Sequence, residues 1–244
     1  MSIEKYKYYS DSHCTIYHGD CRDVLPELSE VDLVLTDPPY GVTQNEWDET
    51  AAVYECFDKL DKWVCTSQNP FSAALIWRYK HLFKYSNVWE KSQAVGFLNC
   101  KVMPLRKHED ILVFGNVKYN PQIKKKPIEN IRPESDRTKQ TDNYNNHPLK
   151  SVRSIPIDME YPTSILKIEN EQNTIHPTQK PIKLFKHLIL TYSNENEIIL
   201  DPFMGSGTAL RAAKDLNRKC IGIEIEEKYC EIAVKRLQQE VLQF

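Results

Sequence analysis

Residues Val31 to Gly41 read Val-Asp-Leu-Val-Leu-Thr-Asp-Pro-Pro-Tyr-Gly, and they restrict the fold more than any other stretch of the chain. A brief apolar run, Leu33 to Leu35, ends against breakers, the pattern of a strand buried on both faces of a parallel sheet. Pro38 and Pro39 fix two φ angles and carry no N–H, so the loop is stiff and continues neither as strand nor as helix. Open α/β sheets bind their ligands outside the carboxyl ends of their strands. Here the loop offers a carboxylate, carbonyls without a competing N–H, and an aromatic face. Such a set suits a flat heterocycle with an exocyclic amino group: Asp37 and a carbonyl accept two N–H bonds, and Tyr40 stacks on the ring. A proline-rich turn with a capping Asp and a packing Tyr is the plainer alternative.

A second strand-into-turn stretch decides between them. Ile198-Ile199-Leu200 is a buried strand that runs into Asp201-Pro202-Phe203-Met204-Gly205-Ser206-Gly207-Thr208, then a helix from Thr208 to Leu216. Strand, glycine turn and helix make a nucleotide cradle, because glycines admit close backbone approach and the helix start favours a negative group. The next strand, Cys220 to Ile225, holds Glu224, 17 positions after Gly207. That offset suits a carboxylate on ribose hydroxyls. The dinucleotide fingerprint fails, since Gly207 is followed by Thr208, Ala209 and Leu210 with no third glycine. A nucleoside ligand without pyrophosphate fits better, and S-adenosylmethionine is such a ligand.

The remaining elements are read from periodicity. Thr15 to Asp20 is a strand ending in Gly-Asp, and Asp20 to Leu28 a short helix. Gly41 to Thr50 is a polar loop in which Trp47 is a candidate lid. Apolar residues at spacings of three and four predict a helix over Ala51 to Cys65. Ser72 to Trp77 reads as a strand, Tyr79 to Tyr85 as a helix, and Asn87 to Lys91 and Asp110 to Phe114 as strands. Ile182 to Tyr192 and Glu226 to Gln239 are helices, the first opened by Pro181.

Between Asn116 and Asn173 the periodicity dissolves. So long a structureless loop is improbable inside a compact domain, and the segment reads as an inserted module or a binding loop that orders on contact. Lys101 to Arg153 holds twelve Lys and Arg against six Asp and Glu, in a chain whose net charge is −2. Lys124, Lys125, Lys126, Arg132, Arg137 and Lys139 interleave with Tyr119, Tyr144 and Tyr161, which suits phosphate contact and base stacking on a polyanion. A solvated, lysine-rich loop is the alternative. Seven cysteines are scattered with no Cys-x-x-Cys, so reduced thiols in a cytoplasm are expected, and no metal site. No apolar run reaches the roughly 18 residues of a membrane span, and the first residues lack a secretory h-region.

With these pieces placed, the chain resembles the β-class amino-DNA methyltransferases. Asp-Pro-Pro-Tyr at 37–40, His-Pro-Thr-Gln-Lys-Pro at 176–181 and Asp-Pro-Phe-Met-Gly-Ser-Gly-Thr at 201–208 follow that family's order. The resemblance covers Tyr17 to Leu237, except for about 122–172. It implies a doubly wound, mostly parallel α/β sheet of the class I S-adenosylmethionine-dependent methyltransferases, with circularly permuted motifs and an inserted recognition region. Residues 1–115 would be the catalytic half, 116–173 the target-recognition insert and 174–244 the cofactor-binding half. Asp37, Pro38, Pro39 and Tyr40 would hold the target base. Phe203, Gly205, Gly207 and Thr208 would contact the cofactor beside Asp201, with Glu224 on its ribose and Asp20 near its adenine. Thr178 and Lys180 become candidates for the methionine carboxylate. Adenine N6 is the expected target, because the family usually pairs Asp at the first motif position with adenine and Ser with cytosine. Cytosine N4 is the alternative. An RNA or protein amino-methyltransferase, which places the glycine motif first, and a catalytically dead DNA-binding relative are the readings from other classes. Double-stranded DNA is the implied partner. A cognate restriction endonuclease, and a monomer or a homodimer, both stay open.

Overall fold

The structure, a computed structural model, describes residues 3–41, 50–130, 155–156, 158–171 and 179–239. By contacts it divides into two units, Met1–Asn120 with Ser164–Phe244, and Pro121–Thr163.

The larger unit is built on a nine-stranded sheet. Its strands are β1 (Lys7–Ser10), β2 (Cys14–His18), β3 (Leu33–Thr36), β4 (Trp63–Ser67), β5 (Phe83–Val95), β6 (Arg106–Phe114), β9 (Ile165–Lys167), β10 (Ile198–Asp201) and β11 (Lys219–Glu224). They lie in the order β1-β2-β11-β10-β3-β4-β6-β5-β9. From β2 to β4 every neighbouring pair is parallel, and β6 runs antiparallel to both β4 and β5. Among the described residues six α-helices accompany the sheet: α1 (Cys21–Val24), α2 (Thr50–Phe57), α3 (Phe71–Arg78), α4 (Ile182–Tyr192), α5 (Thr208–Asp215) and α6 (Glu227–Gln238).

Alternation along each strand sorts its residues between two cores. Leu33, Leu35, Val64, Ile111, Val113 and Ile199 join α4, α5 and α6 on one face. Val34, Trp63, Cys65, Leu112, Phe114 and Leu200 join α1, α2 and α3 on the other. A strand buried on both faces needs apolar residues at every position, which is why these runs are continuous rather than alternating.

The chain leaves β3 toward β4, and leaves β10 in the opposite direction toward β11. The point where strand order reverses therefore lies between β10 and β3, and the crevice at their carboxyl ends is the expected ligand site. Both unusual turns of the sequence start there.

Three local expectations fail. The helix expected over Ala51–Cys65 stops at Phe57, and Trp63–Ser67 is the fully buried strand β4. Ser72–Trp77 lies in helix α3, with Phe71 and Leu75 buried one turn apart. No helix spans Tyr79–Tyr85, because Phe83 already begins β5. Short apolar runs carry too few residues to separate the two periods, so tertiary pairing decided them. The thiol expectation fails at one pair: Cys14 and Cys220 sit opposite in the β2–β11 register with Cα atoms 4.7 Å apart, and their sulfurs are bonded. Separated by 206 residues, they give no local signal.

In the smaller unit β7 (Lys124–Lys125) pairs antiparallel with β8 (Met159–Glu160). Lys124 and Lys125 are exposed, and the Lys126 N–H donates to the Asp158 carbonyl at 2.7 Å. This unit is narrower than the 116–173 segment read from sequence, since residues 164–171 include β9, which pairs with β5. Arg132, Arg137 and Lys139 lie outside the described residues. Among the described residues no helix is long and apolar enough to cross a membrane.

Candidate active site

A cavity of about 230 Å³ opens at the reversal point. Asp37 and Pro39 line it from the turn after β3, and Asp201, Phe203 and Gly205 from the turn after β10. Glu224 closes it from the end of β11, and Asp20 from the turn after β2. The two turns are tied together by the Thr36 hydroxyl, which donates to Asp201 Oδ1 at 2.6 Å in a fully buried contact.

The glycine turn is shaped by backbone geometry. Gly205 has φ +49, and a Cβ built on it would meet nothing within 4 Å, so its missing side chain leaves open space at the cavity wall. Gly207, at φ +75, faces the other way, and a Cβ there would meet Ala233 Cβ of α6 at 2.9 Å. It is therefore a packing glycine, outside the cavity lining. Glu224 is fastened at both oxygens: Gly205 N–H donates to Oε2 at 2.9 Å and Glu226 N–H to Oε1 at 2.8 Å. Burial still pushes its carboxyl above the ordinary range, against those two bonds. Asp20 caps α1 through Arg22 N–H at 2.8 Å and is held by the Arg22 guanidinium at 2.5 Å, which keeps its pKa low. Thr208 lines the cavity, but its hydroxyl accepts from Arg236 at 2.9 Å.

Asp201 is the least comfortable of these groups. Burial pushes its pKa to about 7, only partly offset by the Thr36 hydroxyl and the Phe203 N–H, and Asp37 and Glu224 nearby add to the rise. The linkage sign follows from that direction. Between about pH 4 and pH 7 the folded chain keeps a proton that the unfolded chain releases, so stability falls as pH rises through this window. The expected size is on the order of 4 kcal/mol at neutral pH. Asp201→Asn keeps an acceptor for both Thr36 and Phe203 without the charge. It should raise the melting temperature near pH 8 and leave it close to the wild type near pH 4.5. Thermal unfolding of both proteins across that range checks this, and equal gains at both pH values would refute it.

Asp37 sits in a second network. Oδ1 accepts from the Tyr40 hydroxyl at 2.6 Å and from the Thr66 hydroxyl in a short contact. Oδ2 accepts from Lys180 Nζ at 2.8 Å. Lys180 is also 3.4 Å from Glu109 Oε2, and Glu109 Oε1 is tightly paired with Lys91. Two carboxylates and two ammonium groups thus alternate, all buried except the partly exposed Asp37, and their charges cancel. Burial works against the Lys180 charge, but Asp37 and Glu109 outweigh it and hold its pKa above the ordinary value. Burial, with Asp37 and Glu109 close by, pushes the Tyr40 phenol well up, so it stays a donor. The Tyr40 ring packs against Phe71 at 5.7 Å between centroids.

The structure thus brings Asp20, Lys180, Asp201, Phe203, Gly205, Thr208 and Glu224 to one cavity with Asp37. Lys180 differs from expectation: its ammonium is engaged by Asp37 and Glu109, where sequence reading gave it a ligand's carboxylate. Thr178 and Trp47 lie outside the described residues. Thr66, Glu109 and Lys91 were missed. The one sequence signal for Glu109 was a carboxylate entering the apolar strand Ile111–Phe114.

A mostly parallel, doubly wound sheet with a ligand cavity at its reversal point is the arrangement of nucleotide-binding α/β folds, and the solved structures it superposes on make it the class I S-adenosylmethionine-dependent methyltransferase fold. A family model described as DNA methylase, of the N6/N4 methyltransferases, matches residues 71–235. The type II methyltransferase M.HpaI of Haemophilus parainfluenzae is 31% identical over 239 residues, 88% of this chain and 70% of that protein. M2.LlaDCHI of Lactococcus lactis subsp. cremoris is 25% identical over 284 residues, 98% of each chain. The crystal structure of the M1.HpyAVI–SAM complex superposes with a TM-score of 0.59 at 25% identity, covering 92% of this chain and 100% of that one. The cytosine-N4-specific PvuII DNA methyltransferase shares the fold, with a TM-score of 0.64 at 18% identity over 96% of this chain and 90% of its own. The chain belongs to the N6/N4 DNA methyltransferase family, whose methyl donor is S-adenosylmethionine.

The residues present fit that cofactor. Arg22 balances Asp20 and Lys180 balances Asp37, which leaves buried Asp201 and partly buried Glu224 as cavity-wall carboxylates with no ion pair among the described residues. A ligand with a positive sulfonium meets a cavity in which two carboxyl groups are held uncomfortably in low dielectric.

Proposed function

We propose that the chain methylates the exocyclic N6 amino group of an adenine flipped out of duplex DNA. The observation that carries the reading is the occupancy of Asp37. An ionised carboxylate has about four lone-pair sites. Tyr40, Thr66 and Lys180 fill three of them, so the carboxylate is fixed in place and one acceptor site remains on Oδ2.

The amino nitrogen of adenine is conjugated with its ring and is a poor nucleophile. In this reading Asp37 Oδ2 accepts one amino N–H and the Pro38 carbonyl the other, which localises the nitrogen lone pair. Tyr40 and the stiff Pro38-Pro39 segment hold the extruded base, and orientation then supplies much of the acceleration. The cofactor, when bound, supplies a methyl group on a positive sulfonium. Glu224 is the acceptor for its ribose hydroxyls, Phe203 and Gly205 form the wall against its nucleoside, and Asp20 bounds the adenine end. Transfer would be a direct displacement with no covalent enzyme intermediate: the nitrogen–methyl bond forms as the sulfur–methyl bond breaks, the neutral thioether leaves, and the amino proton is lost to solvent. Adenine is preferred over cytosine because the resembling family pairs Asp at the position of Asp37 with adenine. Lys124, Lys125 and Lys126, and the basic residues that follow them in sequence, are assigned to phosphate contact.

Nucleoside mass spectrometry of methyl-free plasmid DNA treated with the protein and S-adenosylmethionine is the test. N6-methyladenine is the expected product. N4-methylcytosine alone would show that Asp37 does not select the base, and unmodified DNA would refute the reading.

A further inference from the structure

The turn that joins β5 to β6 displays apolar side chains to water. Phe97, Leu98, Val102 and Met103 are 76%, 99%, 79% and 53% exposed. The turn is nevertheless ordered. Gly96, at φ +92, opens a 3-10 turn over Phe97–Asn99. The N–H groups of Asn99 and Cys100 donate to the carbonyls of Gly96 and Phe97, and those of Val102 and Met103 both donate to Asn99. Single exposed apolar residues are ordinary, but a contiguous group on a hydrogen-bonded turn marks a contact surface.

Strand register locates this turn. Thr36, just before Asp37, pairs with Cys65, so the carboxyl end of β4 lies on the catalytic side of the sheet. Ser67, at that end, pairs with Asp110, and β6 continues back from Asp110 to Arg106, where it pairs with Val95. Four residues of strand span about 13 Å. The tip therefore stands beyond the catalytic edge, on the side from which a base must enter. From Ser92 to His108 the chain has Lys101, Arg106 and Lys107 and no carboxylate. Arg106 is anchored at the foot of the hairpin by Gln68, and Lys101 is exposed at the tip.

We infer that this hairpin tip is a wedge for the DNA substrate: Phe97 and Leu98 enter the base stack beside the target and hold open the gap its base leaves, while Lys101 and Arg106 meet the flanking phosphates. Apolar side chains inserted between base steps unstack them, and extrusion of a base costs unpairing and unstacking that such a wedge offsets. The inference rests on the proposed DNA methylation. It adds a surface that the cofactor cavity does not contain.

Phe97→Ser/Leu98→Ser is the test, because both side chains are in water and their loss leaves the cores intact. Single-turnover methyl transfer is measured on a duplex carrying the site mapped from the wild-type product. It is repeated on the same duplex with a mismatch opposite the target base. The expected result is a fall of roughly tenfold or more on the matched duplex and little change on the mismatched one, whose base is already unpaired. S-adenosylmethionine affinity should stay unchanged, and Phe97→Leu/Leu98→Met should restore the rate. Equal losses on both duplexes, or no loss, would overturn the wedge. So would a sedimentation change from dimer to monomer in the variant, which would assign the surface to a second copy of the chain. A wild-type protein that transfers no methyl to any DNA would instead overturn the function on which the wedge rests.

Discussion

Asp37→Ala is expected to lower single-turnover methyl transfer by roughly 10²–10³-fold, the scale for losing one preorganised electrostatic contact to a reacting group. Affinity for S-adenosylmethionine should stay within a few fold, because Phe203, Gly205 and Glu224, proposed above as the nucleoside wall, are untouched by the substitution. The substitution removes the proposed acceptor for the amino N–H and leaves Lys180 facing Glu109 alone. Some stability is lost with the ion pair, less than for a dry pair, since the Asp37 side chain is 24% exposed. Asp37→Asn separates charge from shape. If its oxygen keeps the bonds from Tyr40 and Thr66, its NH₂ faces the Lys180 ammonium, donor against donor. If it flips, the acceptor goes to Lys180, and the two hydroxyls must turn to accept. The first arrangement loses the free lone pair on that side, and the second keeps it only by turning both hydroxyls, so the asparagine variant should be clearly slower than the wild type and faster than the alanine one, with better stability. Labelled methyl incorporation and calorimetric cofactor titration measure the two quantities. Near-wild-type turnover in either variant would remove Asp37 from the mechanism.

How far the site could be read from sequence depended on how local its parts are. Asp37 to Tyr40 and Asp201 to Thr208 are each a strand end plus a turn, so composition and order within about ten residues reveal them. Glu224 was reachable because one glycine turn, one helix and one strand fix its offset. Thr66 had no such signal. It is an ordinary threonine near the end of a strand that periodicity merged into the preceding helix, and it matters only because β4 pairs beside β3. Glu109 is similar: it reaches Lys180 across a sequence distance of 71 positions, through a sheet order that no local pattern encodes. Gly207 has a role that spacing did not reveal. Its spacing matched a ligand-binding glycine, but the structure uses it to admit α6 at Ala233. The two cores, by contrast, followed from continuous apolar runs, whose alternate residues had to face opposite sides.

Lys180→Met tests whether this lysine serves a ligand or the protein's own carboxylates. A lysine that only bound the methionine carboxylate would, when removed, weaken cofactor affinity and spare stability. The geometry assigns the opposite pattern. Lys180 Nζ lies between Asp37 Oδ2 and Glu109 Oε2, and the Lys180 and Glu109 side chains are 9% and 8% exposed. Without the ammonium, two carboxylates share a low-dielectric region with Lys91 as the one remaining cation of the network, already committed to Glu109 Oε1. Leaving a buried charge uncompensated costs roughly 3–5 kcal/mol. Lys180→Met should therefore lower stability at neutral pH by less than that, because the carboxylate it strands, Asp37, is 24% exposed and Glu109 keeps Lys91. It should also slow methyl transfer as strongly as Asp37→Ala, because the carboxylate loses the contact that orients Oδ2. Lys180→Met/Glu109→Gln restores the net charge of the network, with Asp37 and Lys91 left as its two opposite charges. It should recover most of the lost stability and little of the activity, so the two substitutions couple strongly in a double-mutant cycle. Denaturant unfolding of the four proteins gives the coupling, and calorimetry gives their cofactor affinities. Additive stability losses, together with a large loss of cofactor affinity in Lys180→Met alone, would return Lys180 to the ligand and break the network assigned to it.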